Sequence, residues 1–183
     1  ISLRGRHNTL YVLAASASGF AAGFTTVGVA AGIRGFGGVA HRLEFVRSLD
    51  GVAWYNDSIA TAPERTIAAV KSFDEPITLL LGGRDKNLDW GELATLVHQK
   101  VDHVIVFGEA AGKILQALEA EGTHQQPSTI DHVESVEMAV QTARRVTEPG
   151  GVVLLSPGGT SYDAFHDFEE RGEAFRKWVN LLQ

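Results

Sequence analysis

The chain has 183 residues, of which 44% are hydrophobic and 21% are charged, and its formal net charge is -6. This length suffices for one well-buried domain, and the absence of any run of Lys and Arg argues against nucleic acid or anionic lipid as the main partner. There is no Cys, which excludes disulfides and thiolate metal sites, and no apolar run approaches the roughly 20 residues of a membrane span, so we expect a cytoplasmic protein that binds neither nucleic acid nor membrane.

The N-terminal segment is predicted to be helical and to belong to another domain. Residues 8–24 are rich in Ala with helical apolar spacing, and residues 25–36, "TTVGVAAGIRGF", continue with a hydroxyl cap and a second short helix. A glycine-dense stretch follows and is the best candidate for a domain boundary. The sequence also begins at Ile1 in the middle of a pattern. We therefore expect residues 1–38 to be the tail of a preceding domain with exposed apolar helix surface, followed by a second domain at 39–183.

The rest of the chain alternates helices and strands. Residues 43–57 hold two β-prone runs around Asp50-Gly51, a dipeptide that supplies the positive φ angles of a tight hairpin. Four helix-strand repeats follow, and their strands, such as "ITLLLGG" and "GVVLLSP", are apolar on both faces. This alternation predicts an α/β fold, a mostly parallel Rossmann-like sheet with helices on both faces and one antiparallel N-terminal hairpin. A last helix is predicted over 161–182, with an apolar stripe made by Tyr162, Phe165, Phe168, Phe175, Trp178 and Leu182.

Polar residues and glycines follow three of the predicted strands. In an open α/β sheet, ligands bind beyond the carboxyl ends of the strands, where helix N-termini also point their unpaired N–H groups. Hydroxyls, bare amides and a cation at one such edge predict a site for a small anion, a carboxylate or a phosphate, without a nucleophile. The residues concerned are Asp57, Ser58 and Thr61 in the first loop, Gly82, Gly83, Arg84 and Lys86 in the second, and Gly158, Gly159, Thr160 and Ser161 in the third.

Several of these residues also have a purely structural interpretation. Thr61 and Ser161 are suited to capping the helices that follow them. Lys86 is typical of a solvated surface residue. Phe168 lies on the apolar stripe of the last helix and fits the core.

Two glycine motifs do not match nucleotide-binding loops. "GFGGVA" at 35–40 leads into a strand instead of following one, and "GEAAGKI" at 108–114 is one residue short of a Walker A loop, with Ile114 in the position of its hydroxyl. The histidines do not form metal-binding pairs. We expect surface positions for His98, His103, His124 and His132.

Five segments of the chain resemble the Mur ligase family of peptidoglycan-synthesis enzymes, in its D-glutamate-adding branch. They run in family order through nearly the whole chain, and their combination is highly specific. The segments are "GRHN" at 5–8, "HRLE" at 41–44, "NDSIAT" at 56–61, "LLLGGRDK" at 79–86 and "LLSPGGTSYDAFHDFEERG" at 154–172.

The resemblance implies an ATP-dependent, amide-forming ligase. The carboxylate of UDP-N-acetylmuramoyl-L-alanine takes the γ-phosphoryl group of ATP, and the amine of D-glutamate attacks the resulting acyl phosphate. In this family one domain holds the UDP-sugar, a central one carries the P-loop and Mg²⁺ ligands, and the last one closes over ATP. The resemblance makes residues 1–38 the tail of the central ATP-binding domain and residues 39–183 the Mur ligase C-terminal domain. We expect such a fragment to be inactive alone, with the Mg²⁺ ligands mainly in the missing part.

The resemblance also implies contacts for each substrate, without a catalytic residue or a metal ligand in this chain. Asp57 accepts hydrogen bonds from the ribose, and Arg42 faces the phosphates. The nucleotide-binding residues are Asn8, His41, Arg42 and Asp57, and the D-glutamate-binding residues are Thr61, Lys86, Ser161, Tyr162 through its backbone, and Phe168.

Two positions depart from the family pattern. Ile59 stands where Lys is usual, which removes one positive charge near the nucleotide, and Tyr11 stands where Asn is usual, which changes the side chain expected near adenine. A stand-alone α/β module that binds a nucleotide or an amino acid without catalysis is the alternative function. A dinucleotide-dependent oxidoreductase is disfavoured, because no glycine fingerprint follows a strand.

Overall fold

The structure, a computed structural model, describes residues 4–121 and 127–183. It opens with two helices, α1 (Arg6–Ala21) and α2 (Thr26–Gly35), which confirms the predicted helical segment. The hydroxyl of Thr25 caps α2 by accepting a hydrogen bond from the amide of Gly28 at 3.1 Å. None of the helices in the described residues is both long enough and apolar enough to cross a membrane.

A six-stranded α/β unit follows these helices. Its elements alternate as predicted, with one strand pair at the start and one helix at the end. In chain order they are β1 (Glu44–Leu49), β2 (Val52–Asn56), α3 (Pro63–Val70), β3 (Ile77–Gly82), α4 (Gly91–Lys100), β4 (His103–Phe107), α5 (Ala111–Ala120), β5 (Thr129–Val133), α6 (Val136–Val146), β6 (Val152–Gly158) and α7 (Phe168–Leu181).

The strands form one mixed sheet in the order β1-β2-β6-β3-β4-β5. Every neighbouring pair is parallel except β1 and β2, which form the predicted antiparallel hairpin. Asp50 and Gly51 connect the two with φ angles of 49° and 81°, the left-handed conformation that a two-residue hairpin turn requires. The fold class is therefore confirmed.

The core is divided between the two faces of the sheet. Successive side chains of a strand point to opposite faces, so Leu79 and Leu81 of β3 pack with the side of the sheet covered by α3, α4 and α5, whereas Leu80 packs with α6 and α7. On the second side Trp54 and Phe175 are fully buried with ring centroids 6.4 Å apart. Because both faces are covered, the central strands β3 and β6 are buried along their whole length.

The last helix is shorter than predicted. It begins at Phe168, and residues 161–167 form turns. Asp167 is the N-cap, accepting a hydrogen bond from the amide of Glu170 at 2.8 Å, and the Glu170 carboxylate accepts one from the amide of His166 at 2.7 Å. These reciprocal bonds resemble a capping box and fix the helix start. As a result Tyr162 is 60% exposed and does not join the apolar stripe.

His98 is buried, contrary to the surface position expected for it. Its Nε2 lies 2.9 Å from the carbonyl oxygen of Leu118, so the ring links α4 to α5. His132 is exposed and His103 is half-buried. His124 lies outside the described residues.

Candidate functional site

Three loops meet at the carboxyl edge of the sheet because β2, β6 and β3 are neighbours there. The amide of Gly158 donates to the carbonyl of Ala60 at 2.9 Å, which joins the first loop to the third. Arg84 and Thr160 exchange two backbone hydrogen bonds, of 2.8 and 2.9 Å, which join the second loop to the third. The loops that contain Thr61, Lys86 and Ser161 therefore form one connected surface.

Glycines allow this close approach of the loops. Gly158 has a φ angle of 71°, and a Cβ atom there would lie 2.9 Å from the ring of Trp90. A Cβ atom on Gly159 would lie 2.6 Å from the carbonyl oxygen of Gly82. A side chain at either position would overlap these atoms. The paired glycines are therefore needed for the loops to pack this closely.

The two hydroxyl residues do not cap helices, so the capping interpretation is wrong for both. The N-cap of α3 is Ala62, without a side-chain cap, and the N-cap of α7 is Asp167. Thr61 is half-buried beside α3. Ser161 is 2% exposed, and its carbonyl accepts hydrogen bonds from Ala164 and Phe165 that form the turn after β6.

Lys86 lies in the second loop, after β3, and Phe168 is the first residue of α7, after the third loop. Lys86 is exposed and forms no hydrogen bond or ion pair with any residue in the described part of the chain. Phe168 is half-buried at the start of α7, where its ring meets that of His41 edge to face with centroids 6.2 Å apart. Its carbonyl accepts a hydrogen bond from the hydroxyl of Ser58 at 2.8 Å, which ties α7 to the first loop.

Asp57 is a buried carboxylate, only 5% exposed. Its Oδ1 accepts a hydrogen bond from the amide of Leu43 at 3.1 Å and its Oδ2 accepts one from the hydroxyl of Ser156 at 2.8 Å. Burial raises the pKa of Asp57 to about 6, although these two hydrogen bonds and the charges of Arg42 and Arg65 favour the ionised form. The Asp57 carboxyl therefore loses its proton at a higher pH than an ordinary Asp.

Asp57 lies at the wall of a cleft of about 350 Å³ beside α3. The cleft is lined by apolar residues, among them Leu43, Ile59 and Ala69, and also by Tyr11 and the charged residues Arg42, Glu64 and Arg65. Ile59, which stands where the family usually has Lys, adds an apolar side chain to this lining. A cleft lined by both apolar and hydrogen-bonding side chains is typical of a small-molecule site.

Arg42 is held by Tyr11 in this structure. Its Nη2 donates to the phenol oxygen at 3.2 Å, and its guanidinium carbon lies 5.2 Å from the ring centroid. Tyr11 therefore replaces the usual amide with an aromatic ring that stacks on the cation.

The four nucleotide residues of the sequence prediction do not all line one cavity. Asn8 and Arg42 line a second, larger cavity of about 530 Å³ between α1 and α2, and the Asn8 amide donates to the carbonyl of Arg4 at 2.6 Å. His41 lines neither cavity. Its buried ring accepts a hydrogen bond from Asn56 at 3.0 Å, so it contacts the domain interior rather than an open site.

Sequence reasoning missed Arg171, a fully buried arginine in α7 at 0% exposure. Its guanidinium donates to the hydroxyl and the carbonyl of Ser58, at 3.0 and 2.8 Å, and to the carbonyl of Gly159 at 3.1 Å. Burial lowers its pKa to about 10. The available signal was its spacing, since Arg171 lies three residues after Phe168 and four before Phe175, on the apolar stripe.

Among the described residues, no group of three or more His, Asp or Glu side chains is arranged to hold a metal ion. The carboxylate of Asp57 instead has two hydrogen-bond donors as its immediate partners.

The sequence matches known proteins along its whole length. A family profile described as "Mur ligase, glutamate ligase domain" matches residues 41–159. The chain is 44% identical over 183 residues to a UDP-N-acetylmuramoylalanine--D-glutamate ligase of Pelotomaculum thermopropionicum, covering 100% of this chain and 39% of that protein. The corresponding ligase of Symbiobacterium thermophilum is 43% identical over 182 residues, with the same coverage. The chain thus spans about two fifths of the length of these relatives.

Two solved structures share the fold. The UDP-N-acetylmuramate-alanine ligase of Thermotoga maritima superposes with a TM-score of 0.71 at 18% identity, covering 97% of this chain and 39% of that one. The Mycobacterium tuberculosis folylpolyglutamate synthase, complexed with ADP, superposes with a TM-score of 0.65 at 19% identity, covering 100% of this chain and 42% of that one. At these identities the likeness concerns the arrangement of helices and strands.

Proposed function

Since this chain belongs to the Mur ligase family, we propose that it is the C-terminal portion of the ATP-dependent ligase that adds D-glutamate to UDP-N-acetylmuramoyl-L-alanine. The names of the relatives that match its full length support this substrate pair. Residues 1–38 are the helical tail of the central ATP-binding domain, and residues 39–183 are the Mur ligase C-terminal domain. The reaction takes place in the cytoplasm, where peptidoglycan precursors are assembled. The chain alone is inactive.

The junction of the three strand-end loops carries this proposal. A dicarboxylate needs a cation and several neutral donors around it. Lys86 supplies an ammonium group without a competing partner in the described residues, and Thr61 and Ser161 supply hydroxyls on the two neighbouring loops. In the proposed complex Lys86 pairs with one carboxylate of D-glutamate, and the Tyr162 backbone and the Phe168 ring close the pocket.

The cleft beside α3 supports ATP as the second ligand. The Asp57 carboxylate accepts hydrogen bonds from the ribose hydroxyls, and the apolar side chains of Leu43, Ile59 and Ala69 in the cleft contact the base. Arg42 turns from Tyr11 towards the phosphates when ATP is present. Asn8 and His41 are assigned to the same nucleotide by their positions in the family motifs. The buried His41 ring contributes to this site indirectly, by packing against residues next to it. Mg²⁺ accompanies ATP, with its ligands mainly outside this chain.

ATP supplies the phosphoryl group that activates the carboxylate of the UDP-sugar substrate. The residues of this chain bind and orient the two other participants. They hold the amine of D-glutamate next to the activated carbon, so that the attack becomes effectively unimolecular. Such catalysis by orientation does not need a nucleophile in this domain.

The test is a phosphate-release assay on the full-length protein with ATP, UDP-N-acetylmuramoyl-L-alanine and D-glutamate. We expect release to require D-glutamate. Lys86→Ala should raise the KM for D-glutamate at least about tenfold and that for ATP less than about threefold, whereas Lys71→Ala, at an exposed position after α3, should change neither. Equal increases in both KM values contradict the assignment of Lys86.

The same assay distinguishes the alternative function. ATP or D-glutamate binding by the full-length protein without any phosphate release would favour a binding module. Titration with NAD should show no binding, since the chain has no dinucleotide fingerprint after a strand.

A further inference from the structure

Lys86 lies inside a turn that the neighbouring carboxylate closes. Oδ2 of Asp85 accepts a hydrogen bond from the amide of Asn87 at 2.8 Å, and Oδ1 accepts one from the amide of Leu88 at 3.3 Å. Asn87 has a φ angle of 60°, a conformation that Asn tolerates. Both oxygens of the carboxylate thus hold the backbone on the C-terminal side of Lys86, as in an Asx turn.

The same carboxylate accepts hydrogen bonds from side chains at the starts of α5 and α4. The ammonium of Lys113, in the first turn of α5, donates to Oδ2 of Asp85 at 2.6 Å. The indole nitrogen of Trp90, which precedes α4, donates to Oδ1 at 3.1 Å. Trp90 is itself buried, and its ring packs on Gly158. The turn is therefore anchored to the rigid domain rather than free to move.

Lys113 belongs to "GEAAGKI", the motif that fails as a phosphate-binding loop. The structure gives it another partner, because α5 begins beside the second loop of the site. Burial raises the pKa of Asp85, but the hydrogen bonds from Lys113, Trp90 and the amides of Asn87 and Leu88 together outweigh it and hold the pKa below its ordinary value. The carboxylate is ionised and its charge is balanced by Lys113.

This balance matters for Lys86. A free carboxylate on the adjacent residue would attract the Lys86 ammonium and compete with the carboxylate of a bound ligand. With Lys113 on Asp85, Lys86 has no ion-pair partner among residues 4–121 and 127–183. Its charge is left available at the edge where the three loops join.

We propose that Asp85 and Lys113 are positioning residues for Lys86, with Asp85 fixing the turn and Lys113 occupying the carboxylate, so that the Lys86 ammonium is kept for the amino-acid substrate. This inference rests on the proposed function only in naming the substrate. Neither residue touches the substrate in this scheme.

Steady-state kinetics of the full-length enzyme test the proposal. Lys113→Met, which removes the charge and keeps the length, should raise the KM for D-glutamate about tenfold, with the KM for ATP within about twofold. Lys113→Arg should restore most of the loss, because a cation is retained. The double variant Asp85→Asn/Lys113→Met should raise the KM for D-glutamate by less than the product of the increases in the two single variants. The reason is that the double variant has no unpaired carboxylate at residue 85.

Asp50→Asn is the matched control. It removes a different ion pair, that of the exposed Asp50 with Arg144, at a hairpin turn where Asn fits the left-handed backbone. It should leave both KM values unchanged. An unchanged KM for D-glutamate in Lys113→Met, or an equal increase for ATP, overturns the proposal.

Hydrogen exchange of the full-length protein gives a readout that does not depend on ligase activity. In Asp85→Ala, which removes the acceptor of both bonds, the amides of Asn87 and Leu88 should exchange at least about fivefold faster, while those of β3 stay unchanged. If the enzyme shows no D-glutamate-dependent reaction, the proposed function fails, and this exchange still decides whether Asp85 holds the turn. Unchanged exchange at both amides overturns the proposal.

Discussion

Ser156 donates its hydroxyl proton to Oδ2 of Asp57 across 2.8 Å, and this bond links the end of β6 to the end of β2. The same hydroxyl lies 3.3 Å from the hydroxyl of Thr66 in α3. All three side chains are buried. Hydroxyls lower the cost of a buried carboxylate but do not replace water completely, which is why Asp57 keeps a raised pKa.

The raised pKa of Asp57 makes the chain less stable as the pH rises from about 4 to about 6. The folded carboxyl keeps its proton up to pH 6, while the unfolded one releases it near 3.8, so the folded state binds more protons in this window. The two pKa values correspond to about 3 kcal/mol lost by pH 7. Asp57→Asn should escape this loss. Urea denaturation from pH 4 to 7.5 should therefore show the variant gaining stability over the wild type up to pH 6 and no further gain above pH 7.

Asp74→Asn controls for the removal of a carboxylate at an exposed position. A difference between Asp57→Asn and wild type that is independent of pH would contradict the raised pKa.

The fold could be predicted because its signals are local. The apolar residues on both faces of β3 and β6 indicate strands covered on both sides, and Asp50-Gly51 fixes a hairpin through backbone conformation alone. The loops of the site could be predicted for a related reason. Parallel neighbouring strands end at one edge, so their loops meet wherever the strand order makes them neighbours.

Features that depend on contacts distant in sequence could not be predicted. His41 is enclosed by Asn56 and by α7, more than 100 residues later, and its burial follows from that packing. His98 is buried only because α5 packs against α4. The start of α7 was predicted seven residues too early. The aromatic spacing continues upstream of Phe168, but the helix itself begins only after its N-cap, Asp167.

Gly172 is a position where any side chain should destabilise the protein. A Cβ atom there would lie 2.1 Å from Nδ1 of His41, whose ring is buried. Gly172→Ala should lower the free energy of unfolding by about 2 to 3 kcal/mol. Gly112→Ala is the matched control, because no atom lies within 4 Å of its Cβ position on α5, and Ala should stabilise the helix by up to about 1 kcal/mol. Chemical denaturation of both variants measures the contrast, and a neutral Gly172→Ala would contradict it.

Arg171 should not be replaceable by Lys. Its planar guanidinium group donates two hydrogen bonds to Ser58 and one to Gly159. An ammonium group cannot reach all three acceptors from the same position. Arg171→Lys should lower the free energy of unfolding by about 2 to 4 kcal/mol, because buried acceptors are left unpaired. Arg145→Lys on the exposed side of α6 should change it by less than about 0.5 kcal/mol. Similar effects from the two substitutions, measured by thermal or urea denaturation, would show that Arg171 is not a structural link.

The two N-terminal helices should be the least protected part of the chain. No side chain of α2 is buried, and Val27 is 75% exposed, so their opening exposes little additional apolar surface. Backbone amides of α2 should exchange at least about 100-fold faster than those of β3, where every residue is buried. Val27→Ala should leave stability within about 0.5 kcal/mol, whereas Val153→Ala, in the fully buried β6, should cost about 2 kcal/mol. Uniform exchange across α2 and β3 would mean that the exposed helices are held as firmly as the sheet, and the predicted division of the chain at residue 38 would lose its physical basis.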